Sequence, residues 1–98
     1  MVAPDLLNVE VLSVVRRLEQ NGIISAARAV QAITDLGRAP VRRVPTRSLL
    51  TAMWVLRANV SAYDACYVAL AQALSCPLVT ADARLARAPG LGITTLVV

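Results

Sequence analysis

The stretch that most constrains the fold runs from Ser61 to Asp82, SAYDACYVALAQALSCPLVTAD. Its apolar spacing predicts a helix that begins at Ser61 and ends near Ser75, followed by a short buried strand at 77–81. Asp64 and Asp82 are the only charged residues in this stretch. Because the whole chain holds six acidic residues, two carboxylates at the ends of its most apolar segment indicate a functional site.

Helix and strand signals alternate along the rest of the chain. The predicted elements are a strand at 2–3, a helix from Asp5 to Asn21, a helix at 26–36 with Ser25 as cap and Gly37 after it, a strand at 41–44, a helix from Thr46 to Arg57 capped by Thr46, a helix at 82–87 and a strand at 93–98. Strands that alternate with helices predict an α/β fold with a parallel sheet, and 98 residues predict one domain, 1–98.

Two of the predicted helices carry apolar stripes that are expected to form the core. The stripe of the first helix consists of Leu7, Val11, Val14, Val15 and Leu18, and that of the third of Leu49, Leu50, Met53, Trp54 and Leu56. Glu10 lies on or beside the first stripe, where a charge is costly unless a cation compensates it. The alternative is that Glu10 reaches water at the edge of the stripe.

Charge and residue types exclude several classes of function. All ten basic residues are Arg and the net charge is +4, which favours contact with the phosphates of nucleic acid or with an acidic protein. There is no His, which removes Ser–His triads and most zinc sites. The glycines form no phosphate-binding motif, so no nucleotide cofactor is expected.

Cysteine usage and hydropathy predict where the chain resides. Cys66 and Cys76 form no CxxC pair, and we expect buried, reduced thiols in the cytoplasm. The uncharged run within 65–81 is shorter than the roughly 20 residues that a membrane span needs, so no membrane association is expected.

Glu10, Asp64 and Asp82 are the candidate catalytic and metal-ligating residues. Ligands of an open α/β sheet bind beyond the carboxyl ends of its strands, and all three acids are predicted near that edge. Carboxylates without His or thiolate partners favour Mg²⁺ or Mn²⁺. The structural alternatives are that Ser61 and Asp64 form a capping box and that Asp82 caps the helix after it.

Several segments resemble the PIN-domain ribonucleases, in particular the VapC-type toxins of bacterial toxin–antitoxin pairs. The resemblance rests on VAPDLLNVEVLSVVRRL (2–18), TAMWVLR (51–57), SAYDACYVALAQALSCPLVTADARLARAPGL (61–91) and the closing ITTLVV. It implies a parallel sheet flanked by helices and a Mg²⁺ or Mn²⁺ site formed by Glu10, Asp64 and Asp82, with Thr80 in support. It also implies endonucleolytic cleavage of RNA, a homodimer, and neutralisation by a cognate VapB-type antitoxin.

The chain departs from the PIN pattern at its N-terminus. PIN domains begin with a central strand that ends in an Asp, and nothing before Met1 supplies it. We therefore expect an N-terminally truncated PIN-like domain. A late start codon, a decayed gene, or a second chain that completes the sheet are the open explanations. The alternative function is a catalytically impaired remnant that only binds the antitoxin or a full-length relative.

Overall fold

The structure is a computed structural model that describes residues 1–80 and 82–97. In chain order the elements are β1 (Val2–Pro4), α1 (Leu6–Gln20), α2 (Ala26–Arg38), β2 (Arg42–Val44), a 3₁₀ helix (Thr46–Leu49), α3 (Leu50–Val55), α4 (Ala62–Leu74), β3 (Leu78–Thr80), α5 (Ala83–Ala86) and β4 (Thr95–Val97). The chain divides into two compact units, Met1–Arg43 and Val44–Val98.

The predicted α/β class and parallel strands are confirmed. The described strands form two two-stranded sheets, β1 with β2 and β3 with β4. Strands β3 and β4 run parallel, with Leu78 opposite Thr95 and Thr80 opposite Val97. The far ends of the two predicted strands, Ala81 and Val98, lie outside the described residues.

In the first unit, α1 packs against α2. Helix α1 ends as predicted at Asn21-Gly22, where Gly22 adopts a φ of 72° that favours glycine. Ser25 caps α2, its Oγ accepting a hydrogen bond from the Arg28 amide at 3.1 Å. The prediction that Gly37 ends α2 is wrong, because the helix continues to Arg38. It stops where Pro40 forces the preceding residue into an extended conformation.

The apolar stripe of α1 is less buried than its spacing predicted. No residue of α1 is fully buried, and Val14 is exposed. Among the described helices of the first unit, α2 is the one that packs against α1. One neighbouring helix covers only part of a stripe, which accounts for the half-buried side chains of this face.

The second unit is built around α4. Six residues of this helix are buried, Ala65, Cys66, Val68, Ala69, Leu70 and Ala71. Ala65 and Val68 pack with Leu56, Leu85 and Leu91, whereas Ala69 and Leu70 pack with Leu49. Helix α4 therefore contributes to both apolar clusters of its unit.

The predicted helix from Thr46 to Arg57 forms as two shorter helices. Pro45 occupies the cap position of the 3₁₀ helix, so the assignment of Thr46 as cap is wrong. Core packing was predicted for Leu50 and Trp54, but these side chains are 56% and 67% exposed. The reason is helical spacing, because the two residues are four apart and share the face of α3 that points away from the clusters.

Neither cysteine forms a disulfide, Cys66 being buried and Cys76 half-buried. Across the described residues, no helix is both long enough and apolar enough to cross a membrane.

We expect Leu56→Ala to lower the free energy of unfolding by about 2–5 kcal/mol, because Leu56 is 2% exposed and its loss leaves a cavity. Leu74→Ala is the matched control, since Leu74 is 49% exposed and its truncation changes stability by about 0.5 kcal/mol or less. Urea denaturation followed by circular dichroism measures both values. Equal losses in the two variants would contradict the assignment of this core.

Candidate functional site

The start of α4 fixes the position of Asp64. Ser61 has extended backbone angles, and its Oγ accepts a hydrogen bond from the Asp64 amide at 3.2 Å. A full capping box also needs the Asp64 carboxylate to accept from the Ser61 amide, and no such bond forms in the described part of the chain. Capping therefore explains Ser61, whereas it leaves the half-buried Asp64 carboxylate unexplained.

Asp82 is held by a short chain of hydrogen bonds at the end of β3. The Asp82 amide donates to Oγ1 of Thr80 at 3.0 Å, which fixes the turn after the strand. Oδ1 of Asp82 accepts from the Arg84 amide at 2.8 Å and from Nε of Arg84 at 3.5 Å. The alternative interpretation of Asp82 as the cap of the next helix is confirmed.

These contacts set the charge of Asp82. The backbone N–H of Arg84, followed by the hydrogen bond from its side chain, holds the pKa of the Asp82 carboxyl below its ordinary value. The Arg84 side chain is 87% exposed, so solvent screens the ion pair and the backbone donor dominates. Asp82 is therefore ionised throughout the neutral range.

Asp64 and Asp82 line the same cleft, which has a volume of about 270 Å³. The other polar residues that line it are Asn59, Ser61 and Arg84. The cleft thus combines two carboxylates, a hydroxyl, an amide and one cation at its wall. Oxygen donors of this kind suit a hard divalent cation, and the arginine suits an anionic group.

Asp64 also borders a second cleft of about 280 Å³, lined by Thr80 and by the mainly apolar residues Tyr67, Leu78, Val79 and Leu85. One carboxylate at the boundary of a polar and an apolar cleft can contact a ligand that occupies both. Thr80 therefore lines this second cleft together with Asp64 and is also hydrogen-bonded to the Asp82 amide.

The Asn59 side chain, which belongs to a residue lining the polar cleft, lies close to the Gly90 backbone. Gly90 has a φ of 75°, and a Cβ placed on it would lie 2.9 Å from Nδ2 of Asn59. The backbone N–H of Asn59 in turn donates to the Leu56 carbonyl oxygen at 2.9 Å. The dihedral angle favours glycine at this position, and a side chain there would also have to displace the end of the Asn59 side chain.

Glu10, the third predicted acid, lies half-buried on α1 in the first unit, so its participation in the site stays a prediction. In the second unit, no group of three or more His, Cys, Asp or Glu side chains among the described residues is placed to hold a metal ion. Asp64 and Asp82 form a pair of potential ligands there.

Sequence reasoning did not select Asn59 and Gly90 as site residues. Asn59 could have been predicted, because it lies with Ser61 in a polar loop just before an apolar helix, and such loops often bear functional residues. The contact between Asn59 and Gly90 joins residues 31 positions apart in the chain, and no local pattern encodes it.

Comparison with known proteins yields two kinds of match. Residues 1–91 match the family model described as PIN domain. The chain is 49% identical over 82 residues to VapC ribonuclease Mb0985 of Mycobacterium bovis and, with the same figures, to Ribonuclease VapC9 of Mycobacterium tuberculosis. Ribonuclease VapC1 of Mycobacterium tuberculosis is 47% identical over 90 residues.

The first two matches cover 84% of this chain and 65% of each relative, and the third covers 91% and 68%. The chain therefore spans about two thirds of the length of these relatives. The family model covers nearly all of it, including the segments that contain Glu10, Asp64 and Asp82. The chain belongs to the PIN domain family.

Proposed function

We propose that this chain is a VapC-like toxin, a metal-dependent endoribonuclease that cleaves phosphodiester bonds in RNA. The observation that carries the proposal is the Asp64 carboxylate, which capping does not use and which shares a cleft with Asp82. The names of the relatives, VapC ribonuclease and Ribonuclease VapC9, support the same activity.

The donor set fits Mg²⁺ or Mn²⁺, because the cleft presents carboxylate, hydroxyl and amide oxygens and the chain contains no His. Asp64 and Asp82 would hold the ion, with Glu10 as the proposed third acidic ligand. When bound, such a cation stabilises negative charge on a phosphoryl oxygen and lowers the pKa of water.

The remaining residues of the cleft bind and orient the RNA. Thr80 fixes the backbone of Asp82, which keeps that carboxylate at the end of β3. The Arg84 guanidinium is exposed at the wall of the cleft and attracts a phosphate. Asp64 is the proposed proton acceptor for the attacking water, since the chain has no imidazole for this role.

We also propose how the chain is organised and which partners it has. Residues 1–98 act as one PIN-like domain, the protein is a cytoplasmic homodimer, and a VapB-type antitoxin neutralises it. Support comes from the VapC names of the relatives and from the net charge of +4, which suits an RNA substrate and an acidic partner segment.

Asp64→Asn is expected to lower RNA cleavage by at least about 100-fold, because the variant loses the carboxylate that the proposal assigns to metal and proton. Stability should change little, since Ser61 rather than Asp64 supplies the cap. Cleavage of labelled cellular RNA and thermal unfolding measure the two effects. Asp35→Asn is the control: this exposed acid on α2 accepts a hydrogen bond from Gln31, far from any cleft acid in sequence.

Full activity of Asp64→Asn beside wild type would overturn the proposed role of the cleft. Glu10→Gln belongs in the same assay, because a matching loss supports its membership in the acidic set. If wild type itself does not cut RNA but binds a VapB-type antitoxin, the binding-only alternative is favoured.

Removal of divalent metal is expected to abolish cleavage, and added Mn²⁺ to restore it, because the proposed mechanism relies on a cation at the cleft to stabilise charge on the phosphate and to activate water. Isothermal titration with Mn²⁺ checks this independently of activity. Asp64→Asn and Asp82→Asn should each weaken Mn²⁺ binding. Unchanged Mn²⁺ binding in both variants would exclude a shared site at this cleft.

The pKa of Asp82 is expected to lie below the ordinary value of an aspartate, since the Arg84 backbone N–H stabilises the ionised form. A carboxyl whose pKa is lowered by folding stabilises the folded state at pH values above its ordinary, unfolded pKa. This stabilisation is lost as the pH falls through the lowered pKa of the folded state. Carboxyl NMR titration measures the midpoint. Arg84→Gln should leave most of the lowering in place, because the main donor is the backbone; a return to the ordinary value would assign it to the guanidinium.

A further inference from the structure

Trp54 is an exposed aromatic residue that takes no part in the core of its unit. It is the single Trp of the chain, and 67% of its surface is accessible. An exposed indole presents a large, flat apolar surface on which another ring can stack. Trp54 lies on α3, within the same unit as the acidic cleft.

Arg57 holds one face of the Trp54 ring. Its guanidinium carbon lies 4.5 Å from the ring centroid, and its Nη1 donates to the Trp54 carbonyl oxygen at 2.9 Å. The hydrogen bond orders an arginine that is otherwise exposed, and most of its N–H donors remain for another acceptor. The pair thus combines a flat aromatic surface with a fixed cation.

The pair also lies next to the acidic cleft along the chain. Arg57 is two residues before Asn59, whose side chain lines that cleft, and two Cα atoms at this spacing are about 7 Å apart at most. The turn between them is short and ordered, because the Asn59 and Val60 amides both donate to the Leu56 carbonyl oxygen.

We propose that Trp54 and Arg57 form a stacking subsite for one unpaired base of the RNA, beside the acidic cleft. The base stacks on the face of the indole that Arg57 leaves open, and Arg57 contacts the adjoining phosphate. Aromatic rings combined with arginine are the chemistry that binds single-stranded nucleic acid. This inference rests on the proposed function for its RNA substrate.

Charge favours RNA over a second copy of the chain as the occupant. A symmetric contact between two copies across this patch brings two Arg57 guanidinium groups together in a protein of net charge +4. A polyanion with flat bases satisfies both members of the pair.

The test uses the fluorescence of Trp54 in the full chain carrying Asp64→Asn, so that cleavage does not interfere. A single-stranded RNA of about 10 nucleotides should quench this emission. The same strand with abasic positions near the cleft should bind more weakly and quench less. Trp54→Leu, followed by anisotropy of labelled RNA, should weaken binding by about 5- to 100-fold, and Trp54→Phe by less.

Val55→Ala is the matched control, because Val55 is a neighbouring apolar residue on α3 that is 71% exposed. Its RNA affinity should equal that of wild type, whereas Arg57→Lys should weaken both binding and quenching. In Trp54→Leu, the abasic strand and the intact strand should bind equally.

Equal quenching by intact and abasic strands, or no binding of either, would overturn the subsite. A second result would also overturn the subsite: Trp54→Leu binds RNA with unchanged affinity but no longer forms a concentration-dependent dimer. That result would assign the patch to contact between two copies of the chain. Base-dependent quenching in a wild-type chain that cuts no RNA would instead support the subsite and refute the proposed nuclease.

Discussion

The second unit depends on the burial of α4. This helix is apolar on most sides, and its residues pack into both apolar clusters of the unit. Because the middle of the helix is held on several sides, its first turn has little freedom to shift. The position of Asp64 in that turn is therefore set by the same packing that stabilises the unit.

The second acid is positioned by a different means. Asp82 follows a three-residue strand, and two hydrogen bonds define its turn. The Asp82 amide donates to the Thr80 hydroxyl, and the Asp82 carboxylate accepts from the Arg84 amide. Backbone N–H groups do not move away from the carboxylate as a long side chain does. The ionisation of Asp82 is thus tied to the local fold, while Arg84 retains the freedom of a surface residue.

Strong local signals were sufficient for much of the fold and for part of the site. The apolar run after Ser61, the cap at Ser25 and the Asn21-Gly22 stop each act within a few residues, so the sequence predicted α4, the start of α2 and the end of α1. Asp64 and Asp82 were selected because charges are rare in that stretch, and both line one cleft.

The errors arose where tertiary contacts decide. Apolar spacing alone assigned Trp54 to the core, but only Leu49 and Leu56 of the stripe predicted for the third helix are buried. Which face of a short helix meets α4 depends on tertiary packing. Gly37 is compatible with a last helical turn, and the constraint came from Pro40, three residues later. The participation of Glu10 is not one of these errors and stays a prediction, because Glu10 lies in the other compact unit and sequence spacing gives no distance between the two.

The tight approach between Gly90 and Asn59 links a residue outside the polar cleft to one that lines it. Any other residue there has to displace the end of the Asn59 side chain, and its backbone has to adopt a conformation that L-residues avoid. A substitution at Gly90 would therefore move an amide that lines the cleft without altering either carboxylate.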